Sequence, residues 1–247
     1  MISIIICSRK TDLDTTLKSN IDATIGVEHE IIFINNSQNH YNIFQAYNLG
    51  VLKSKYETLC FMHDDIQFLT QDWGKLVIET YYDEKVGAIG IAGSPYVSWT
   101  PGTWWSAGIN AQNVSHGTLK ATEYFEPLIS NKFSEVLLLD GVWFCIRKKL
   151  FQKIRFDEMT YQGFHMYDMD ICMQIHKQKF KCLSLYNIDI NHQSQGALNN
   201  SWIKNRILFW KKWKHALPLS NLKLTWYQIA IYEWRNTLTF LKIIIKN

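Results

Sequence analysis

The sequence predicts an α/β fold with a mostly parallel, Rossmann-like sheet, because short apolar runs alternate with segments that have helical patterning. The apolar runs end in polar residues, which is typical of buried parallel strands that lead into loops. Strands that alternate with helices form βαβ units with right-handed crossovers, so helices should flank the sheet. The 247 residues are enough for one large domain, or for one domain with an appendage.

The alternation is clearest in the first half of the chain. Buried strands are predicted at residues 2–7, 30–34, 58–62 and 86–91. Helices are predicted between them, at residues 13–23, 42–53 and 73–82. Asp72 is predicted to cap the last of these helices.

Polar residues follow three of these strands and indicate a functional crevice. They are Ser8-Arg9, Asn35-Asn36 and Asp64-Asp65. Ligands of parallel sheets bind at the carboxyl ends of the strands. We therefore expect the three strand exits to line one crevice.

The second half of the chain is less regular. A loop rich in Trp, Gly, Ser and Thr is predicted at residues 99–113. Strands are predicted at residues 135–140, 142–146 and 182–190, and a loop that becomes a helix at residues 161–180. The tail beyond Trp202 is predicted to form two helices, divided near Leu217-Pro218.

Composition makes several classes of protein unexpected. The five cysteines are odd in number and have no CxxC spacing, so we interpret them as small buried side chains in a reducing cytosol. No stretch reaches the roughly 18 apolar residues that a membrane span needs. A signal peptide is not expected, because Ser8-Arg9-Lys10 ends the first apolar run. P-loop, GxGxxG, GxSxG and HExxH motifs do not occur in the sequence.

The feature that best indicates chemistry is His63-Asp64-Asp65, directly after the strand TLCFM. Two adjacent carboxylates repel each other, and a divalent cation offsets this repulsion most simply. Such a cation can bridge a diphosphate and stabilise the charge that develops when the diphosphate leaves. For an isolated pair of acids, a loop that caps the next helix is the alternative, so the assignment depends on the rest of the chain.

The order of several segments resembles that of glycosyltransferase family 2, most closely of bacterial members whose acidic motif reads HDD. The segments are SIIICSR, EIIFINNS, QAYNLG, LCFMHDD, LLLDGVWFCIRK, GFHMYDMDICMQ and NHQSQG, which cover roughly residues 1–200. The resemblance implies a GT-A fold, a nucleotide-diphospho-sugar donor, Mn²⁺ or Mg²⁺, and inversion at the anomeric carbon. It divides the chain into a catalytic domain, residues 1–201, and a basic aromatic helical tail, residues 202–247. Within the catalytic domain, residues 1–95 are the nucleotide-binding half and residues 96–201 the acceptor half.

The resemblance also implies roles for single residues at the metal and around the donor. Asp65 matches the acid that ligates the metal, and His192 matches a late histidine that completes the metal shell in part of the superfamily. Asp64 matches the acid near the donor ribose. Gly141, in the Asp140-Gly141 turn, matches a position under the donor sugar, with Trp143 beside it.

Five further residues match positions around the nucleotide. Ser8 and Arg9 match the loop beside it, and Asn48 matches a helix residue near the donor, with bracing of the loop as the alternative. Asn35 and Asn36 fall where the family usually has an Asp that faces the base. An amide can still donate and accept hydrogen bonds at a pyrimidine edge, and we expect UDP rather than GDP as the nucleotide.

The chemistry requires a general base, because an acceptor hydroxyl is a poor nucleophile until its proton is removed. Tyr167-Asp168 falls where many relatives carry Glu-Asp, so the resemblance assigns the base to Asp168. Asp170 is the competing candidate, and a helix N-cap is the structural alternative for Asp168.

The acceptor is expected to be a saccharide or a lipid-linked saccharide. Trp99, Trp104 and Trp105 are candidates to stack on it, although core packing is the alternative in a chain with ten Trp. His165 is a candidate for contact with the acceptor or the phosphates. We expect no nucleic-acid partner.

Two other functions compete with glycosyl transfer. A nucleotidyltransferase also uses a parallel sheet and acidic metal ligands, but CSRKTDLD lacks the glycine-rich loop that would follow its first strand. A non-catalytic carbohydrate-binding protein with the same fold is the second alternative, and the presence of Asp65, Asp168 and His192 argues against it.

Charge is unevenly distributed and indicates where the protein works. Residues 202–247 hold nine Lys or Arg and one acid, Glu233, for a net +8, whereas the first 201 residues carry a net −4. A helix at residues 202–217 would place most of its Trp, Ile, Phe and Leu on one face and most of its Lys on the other. We expect a cytoplasmic protein held peripherally on the inner face of the membrane. Packing of the tail on its own domain, or on a second subunit in a homodimer, is the alternative.

Overall fold

The computed structural model describes residues 1–116, 119–123, 132–194 and 196–247. Gln195, which belongs to the NHQSQG segment, lies outside the described residues. The helices in the described part are α1 (Thr15–Thr24), α2 (Ile43–Lys53), α3 (Trp73–Thr80), α4 (Tyr167–Lys177), α5 (Asn200–Trp213) and α6 (Trp226–Lys246).

The strands of the described part fall into a first group, which precedes residue 98, and a second group, which follows residue 110. The first group is β1 (Ile2–Ser8), β2 (His29–Asn35), β3 (Thr58–Met62), β4 (Ile66–Phe68), β5 (Val86–Gly90), β6 (Ala92–Ser94) and β7 (Tyr96–Val97). The second group is β8 (Ala111–His116), β9 (Leu119–Glu123), β10 (Phe133–Val136), β11 (Leu138–Leu139), β12 (Trp143–Arg147), β13 (Lys181–Leu185), β14 (Ile190–His192) and β15 (Leu219–Ser220).

The main sheet has the strand order β10-β13-β5-β12-β3-β1-β2 across the described residues. Strands β1, β2, β3, β5 and β13 run in one direction, whereas β10 and β12 run in the other. The prediction of a mostly parallel sheet is therefore confirmed, with β12 inserted antiparallel between β3 and β5. Because β12 starts beside the point where β3 ends, Trp143 pairs with Met62 and the preceding turn lies next to His63.

A second sheet, of order β11-β6-β8-β14-β4 with β9 paired to β8, lies beyond the carboxyl end of β3. Strand β4 follows the HDD segment directly, and β14 pairs with it antiparallel. The register joins His192 to Ile66. This pairing returns a late part of the chain to the end of β3.

The predicted elements are mostly present, with four differences at the level of single segments or residues. Residues 135–140 form two strands instead of one, β10 and β11, and residues 182–190 are divided between β13 and β14. The loop predicted at residues 99–113 ends earlier, where β8 begins. Asp72 is at the N-cap position of α3, but its backbone has φ +58° and its side chain pairs with Lys75 at 3.0 Å instead of capping the helix.

Aromatic side chains fill the core behind the sheet. Trp143 is completely buried and packs edge-on against Trp73, with ring centroids 5.9 Å apart, and against Phe68. The predicted place of Trp143 beside the donor sugar is therefore wrong, because β12 alternates its side chains and points this one into the core. The five cysteines are free thiols, and all except the partly buried Cys7 are buried, as expected.

Helix α5 is an integral part of the molecule and not a detachable tail. Trp202, Arg206 and Phe209 are buried against the body, and Arg206 Nε donates a hydrogen bond to the Gly102 carbonyl at 2.6 Å. The predicted apolar face is thus mostly packed on the body, which is the alternative named for this helix, and peripheral attachment to a membrane stays a prediction. The domain division at residue 201 stays a prediction.

Helix α6 docks beside α5 on the segment that follows β7. Its Glu233 carboxylate accepts hydrogen bonds from the Tyr96 and Ser98 hydroxyls, both at 2.6 Å. It also accepts from the backbone N–H groups of Trp99 and Thr100, at 2.8 and 3.0 Å. In the part of the chain that the structure describes, no helix has the length and apolar character to cross a membrane.

Candidate active site

A cavity of about 850 Å³ opens where β1 and β3 end and the second sheet begins. This volume lies within the usual range for small-molecule sites. Six of the predicted site residues line the cavity: Arg9, Asp64, Asp65, Gly141, Asp168 and His192. Of the three strand exits predicted to line one crevice, those of β1 and β3 do so and that of β2 does not. Residues from the distant second half of the chain complete the cavity.

Three side chains in this cavity are arranged to hold a metal ion. One ligand atom from each of His63, Asp65 and His192 lies within 4.8 Å of the others. His63 Nδ1 is 3.3 Å from His192 Nε2, and His192 Nε2 is 3.3 Å from Asp65 Oδ1. Two imidazole nitrogens and one carboxylate oxygen that face a common point are a suitable donor set for a divalent transition metal.

Backbone pairing explains why His192 reaches Asp65. The β4–β14 register ends at the Ile66–His192 pair, so the residue before Ile66 faces the end of β14. Gln193 N–H donates to the Asp65 carbonyl at 3.1 Å, and Ser194 N–H donates to Asp65 Oδ2 at 3.1 Å. These bonds hold the Asp65 carboxylate at the strand exit with Oδ1 turned toward the two histidines.

Tyr167 sets the orientation and tautomer of His63. The Tyr167 hydroxyl donates to the Gly141 carbonyl at 3.0 Å, so its oxygen is left to accept from His63 Nε2, 3.1 Å away. A proton on Nε2 leaves the Nδ1 lone pair directed at Asp65 and His192, where a metal would bind. A Cβ on Gly141 would lie 2.1 Å from the Tyr167 hydroxyl, so a glycine is required for this contact.

The protonation states also suit a metal site. Burial lowers the pKa of His63, although the nearby Asp140 carboxylate opposes this shift. The imidazole is therefore neutral near pH 7, which is the form that binds metals. Burial also disfavours ionised Asp65, but hydrogen bonds from His192 and Ser194 outweigh burial and hold its pKa well below the ordinary value.

Asp64 and Arg9 form the side of the cavity next to β1. The Ser8 hydroxyl donates to Asp64 Oδ2 and accepts from the Lys10 N–H at 3.0 Å. Ser8 itself is buried and does not line the cavity, so it positions Asp64. Arg9 is exposed at the cavity and supplies a positive charge there.

Asp168 lies in the first turn of α4, on the cavity side. Its carboxylate accepts hydrogen bonds from the Gly141 N–H at 3.0 Å and the Met169 N–H at 2.8 Å. Burial and the negative charge of Asp140 raise the pKa of Asp168 to about 7. A carboxylate with a pKa near 7 is well suited to accept a proton at neutral pH.

Asp170 faces the opposite way and cannot compete for this role. It is 1% exposed and does not line the cavity. It accepts hydrogen bonds from the Tyr161 hydroxyl, Trp213 Nε1 and Lys212 Nζ, at 2.9, 2.8 and 2.9 Å. These contacts connect α4 to α5, so Asp170 supports the helix that carries Asp168.

Three of the residues predicted around the nucleotide do not line the cavity. Asn48 donates to the Phe156 carbonyl at 2.9 Å and accepts from the Phe156 N–H at 3.1 Å, which is the loop-bracing alternative. Asn36 makes the same reciprocal pair with the Tyr41 backbone. Asn35 donates to the Thr11 carbonyl at 2.8 Å, so both amides have structural contacts and their contact with a base stays a prediction.

The aromatic candidates divide between the cavity and the tail. Trp104 and Trp105 line the cavity, and Trp104 Nε1 donates to Asp140 Oδ2 at 2.8 Å. Trp99 does not line it and packs edge-on against Trp210 of α5, with ring centroids 5.7 Å apart. His165 lines the cavity, and burial lowers its pKa.

A sequence model described as "Glycosyltransferase like family" matches residues 3–213. The chain belongs to this glycosyltransferase-like family. None of the curated proteins compared with the chain matches it.

Solved structures support the GT-A fold of this glycosyltransferase-like chain. GalNAc-T7 with UDP, GalNAc and Mn²⁺ superposes with a TM-score of 0.58 and 13% identity, over 99% of this chain and 56% of that one. Mannosyltransferase PcManGT from Pyrobaculum calidifontis, in complex with GDP-Man and Mn²⁺, gives 0.59 and 10% identity, over 99% of this chain and 73% of that one. At these identities the likeness concerns the fold. The chain spans little more than half the length of the GalNAc-T7 chain.

The structure adds His63 and Tyr167 to the site residues that the sequence predicted for this family member. His63 was part of the HDD segment, but only its acidic neighbours were assigned roles. The sequence signal was present, because a histidine beside a metal-ligating acid at a strand exit is itself a candidate ligand. Tyr167 carried no such signal, since its role depends on the distant residues His63 and Gly141.

Replacement of Tyr167 with Phe is expected to weaken Mn²⁺ binding by about 10-fold to 100-fold, the usual effect of removing a partner that orients a metal ligand. The ring should keep its packing, because the change removes only the hydroxyl. Calorimetric titration of Mn²⁺ against both proteins measures the effect. Tyr81→Phe is the matched control, since Tyr81 is also buried but does not line the cavity, and its hydroxyl donates to the Gly87 carbonyl. Equal Mn²⁺ affinities for Tyr167→Phe and wild type would contradict the role of the hydroxyl.

Proposed function

We propose that this protein is a metal-dependent, inverting glycosyltransferase. It moves a hexosyl or hexosaminyl group from a nucleotide-diphospho-sugar to an acceptor hydroxyl, in the synthesis of a surface polysaccharide or glycoconjugate. The observation that carries the proposal is that one cavity contains both a set of possible metal ligands and a carboxylate with a raised pKa. The ligands are His63, Asp65 and His192, and the carboxylate is that of Asp168. Family membership supports a transferase, and it leaves no support for the nucleotidyltransferase alternative.

The donor set favours Mn²⁺ over Mg²⁺. Mg²⁺ prefers oxygen ligands and retains its waters, whereas imidazole nitrogens bind transition metals well. His63 and His192 supply two nitrogens, and Asp65 supplies the oxygen. A bound metal would neutralise the diphosphate and stabilise the charge that develops on it as it leaves. Both solved structures named above contain Mn²⁺, which agrees with this choice.

The other residues of the cavity have distinct roles in the proposed reaction. Arg9 adds a second positive charge for the diphosphate, and Asp64, fixed by Ser8, can accept a hydrogen bond from the ribose. Asp168 accepts the proton of the acceptor hydroxyl while the acceptor oxygen bonds to the anomeric carbon. The bond from that carbon to the diphosphate breaks on the opposite side, so the configuration inverts. The exposed Trp105 is placed to stack on the acceptor sugar.

The nucleotide is proposed to be uridine diphosphate. One similar structure holds UDP and the other GDP-Man. The argument from the residues is that Asn35 is exposed at the exit of β2 and donates only one of its two amide N–H groups to Thr11, so the second N–H can donate to a pyrimidine carbonyl.

A thermal-shift experiment tests metal and nucleotide together. A ligand that binds the native state raises the melting temperature by an amount set by its concentration relative to its Kd. UDP and GDP are each added with Mn²⁺, with Mg²⁺ and with a chelator, and UDP with Mn²⁺ should give the largest rise. A panel of UDP-sugars, each incubated with and without candidate saccharide acceptors, then measures release of UDP. Binding without turnover of any donor would favour the non-catalytic alternative, and equal shifts with Mn²⁺ and chelator would exclude the metal-dependent one.

A further inference from the structure

Helix α6 has one face that packs on the body and one that does not. The inward face is partly polar: Glu233 accepts four hydrogen bonds from the segment after β7, and Asn236 is 1% exposed. Ile243, also inward, is 7% exposed. Glu233 and Asn236, which interrupt the apolar sequence of this helix, thus explain how it is oriented.

The outward face of α6 is apolar along its whole length. The residues of this outer stripe are Tyr227, Trp234, Leu238, Leu241 and Ile245, which are 61, 63, 36, 48 and 84% exposed. Their spacing of seven, four, three and four residues keeps them on one side of a helix that turns about 100° per residue. Trp226, at the start of the helix, is a further 81% exposed. A continuous exposed apolar stripe of this kind marks an interaction surface.

Only positive charges accompany this stripe on α6. Arg235, Lys242 and Lys246 are exposed on the same helix, and Lys223 is exposed just before it. The single acid of residues 202–247 is Glu233, which is directed inward and fully used in hydrogen bonds. The outer face therefore combines aromatic and aliphatic side chains with lysine and arginine and lacks a negative charge of its own.

We propose that the outer stripe of α6 docks the protein on an anionic lipid surface. Tryptophan and tyrosine favour the boundary between headgroups and acyl chains, and lysine and arginine are attracted to acidic headgroups. A helix with this distribution lies in the plane of the interface, with its apolar side chains inserted and its length parallel to the surface.

A second copy of the chain is a poorer occupant. Two stripes packed against each other would bring the exposed lysines and arginines of both helices together, with no acid on the outer face of α6 to pair with them, because Glu233 is directed inward. Like charges at such short range oppose association, whereas an anionic surface is complementary to them. The charge distribution thus decides between the two occupants.

The docked helix would lie close to the cavity. Asn236 of α6 donates to the Thr100 carbonyl, and the loop that begins there continues to Trp104 and Trp105, which line the cavity. Under the proposed function, on which this consequence alone rests, an acceptor attached to a lipid would reach the cavity from the surface. The lipid docking itself rests on α6 and does not require the proposed function.

Sedimentation of the full chain with lipid vesicles tests the proposal. The vesicles contain phosphatidylcholine alone or with rising fractions of phosphatidylglycerol, at low and at high salt. The variant Trp234→Ser with Leu238→Ser should bind the anionic vesicles about tenfold more weakly, because two inserted apolar side chains are lost. Its matched control is Leu52→Ser with Met159→Ser, two side chains of the body that are 83 and 87% exposed. The control should bind as wild type.

A second pair of variants tests the charge contribution. Lys242→Gln with Lys246→Gln should lose about fivefold in binding for each lysine, and Lys149→Gln with Lys153→Gln, exposed on the body, should lose less. Binding of wild type should fall at high salt. The proposal is overturned if wild type stays in the supernatant at low salt, or if the stripe variant binds as its control does. It is also overturned if gel filtration shows a dimer that Trp234→Ser with Leu238→Ser converts to a monomer, since the occupant is then a second copy.

Discussion

Asp65→Asn is expected to lower turnover by about three orders of magnitude or more and to abolish Mn²⁺-dependent nucleotide binding. Asp65 supplies the only carboxylate among the three possible metal ligands found in the described residues, and its loss leaves the imidazoles of His63 and His192. Charge stabilisation by a bound metal is worth several kcal/mol at the leaving group, and about 4 kcal/mol corresponds to a thousandfold in rate. The fold should persist, because the amide can still accept the hydrogen bond that Ser194 N–H donates to Oδ2.

Calorimetric titration of Mn²⁺, followed by UDP, measures the two binding steps in wild type and variant. His63→Ala and His192→Ala should each weaken Mn²⁺ binding as well, since each removes one of the three ligands. Glu84→Gln, which removes an exposed carboxylate that does not line the cavity, is the matched control. Unchanged Mn²⁺ affinity in Asp65→Asn would remove the metal site from its proposed position.

The sequence was sufficient to predict the strands and helices of residues 1–95, because local pattern decides them. In β1 and β3, continuous apolar runs end in polar residues, and the structure places those exits around one cavity. The α2 helix begins with a capping box formed by Asn42 and Gln45. The two residues are only three positions apart, so the sequence itself contains this signal. Where a few neighbouring residues determine an element, the prediction and the structure agree.

Other features depend on contacts between distant residues, which no local pattern contains. The antiparallel insertion of β12 places Trp143 in the core. A shift of one residue in the pairing of β12 would turn that side chain to the other face of the sheet. Asn48 and the Phe156 backbone, which exchange two hydrogen bonds, are 108 positions apart in the sequence. The sequence alone therefore did not show whether Asn48 supports a loop or contacts the donor.

The tail shows the same limit. Amphipathic patterning predicts that a helix has a face to cover, but it does not identify what covers it. For α5 the cover is the body itself, through side chains such as Phe209. For α6, the polar residues that break the apolar sequence are the ones that face inward, which leaves Trp234 and its apolar neighbours outside. That inversion of the usual arrangement could not be derived from hydropathy.

Asp168→Asn is expected to lower turnover by about two to four orders of magnitude, the usual value of general base catalysis. The amide keeps the shape of the side chain and cannot accept the proton. Donor binding should change little, because Asp168 is not one of the possible metal ligands. In wild type, turnover should rise with pH through about 7, where the Asp168 carboxyl ionises. This rise should be absent from the residual activity of the variant.

The same substitution should make the protein more stable, and the gain should depend on pH. A pKa of about 7 in the folded state, against an ordinary value of 3.8, means that the unfolded chain loses this proton first as pH rises. Asp168 therefore costs stability increasingly between about pH 4 and pH 7, up to about 4 kcal/mol at higher pH as an upper limit. Asp168→Asn removes this cost, although the amide has one oxygen and can accept only one of the two backbone hydrogen bonds that the carboxylate accepts. The melting temperature of the variant should therefore exceed that of wild type by more at pH 8 than at pH 5.

Asp170→Asn provides the opposite result and so distinguishes the two acids. Its carboxylate accepts hydrogen bonds from Tyr161, Trp213 and Lys212, and the loss of its charge leaves Asp157 to pair alone with the Lys212 ammonium. Melting temperature should fall, while the folded fraction retains turnover close to that of wild type. A catalytic group in a cavity is stabilised poorly because it must remain reactive, whereas a buried structural carboxylate is stabilised by every partner around it. If Asp170→Asn instead loses turnover and Asp168→Asn keeps it, the base has been assigned to the wrong residue of α4.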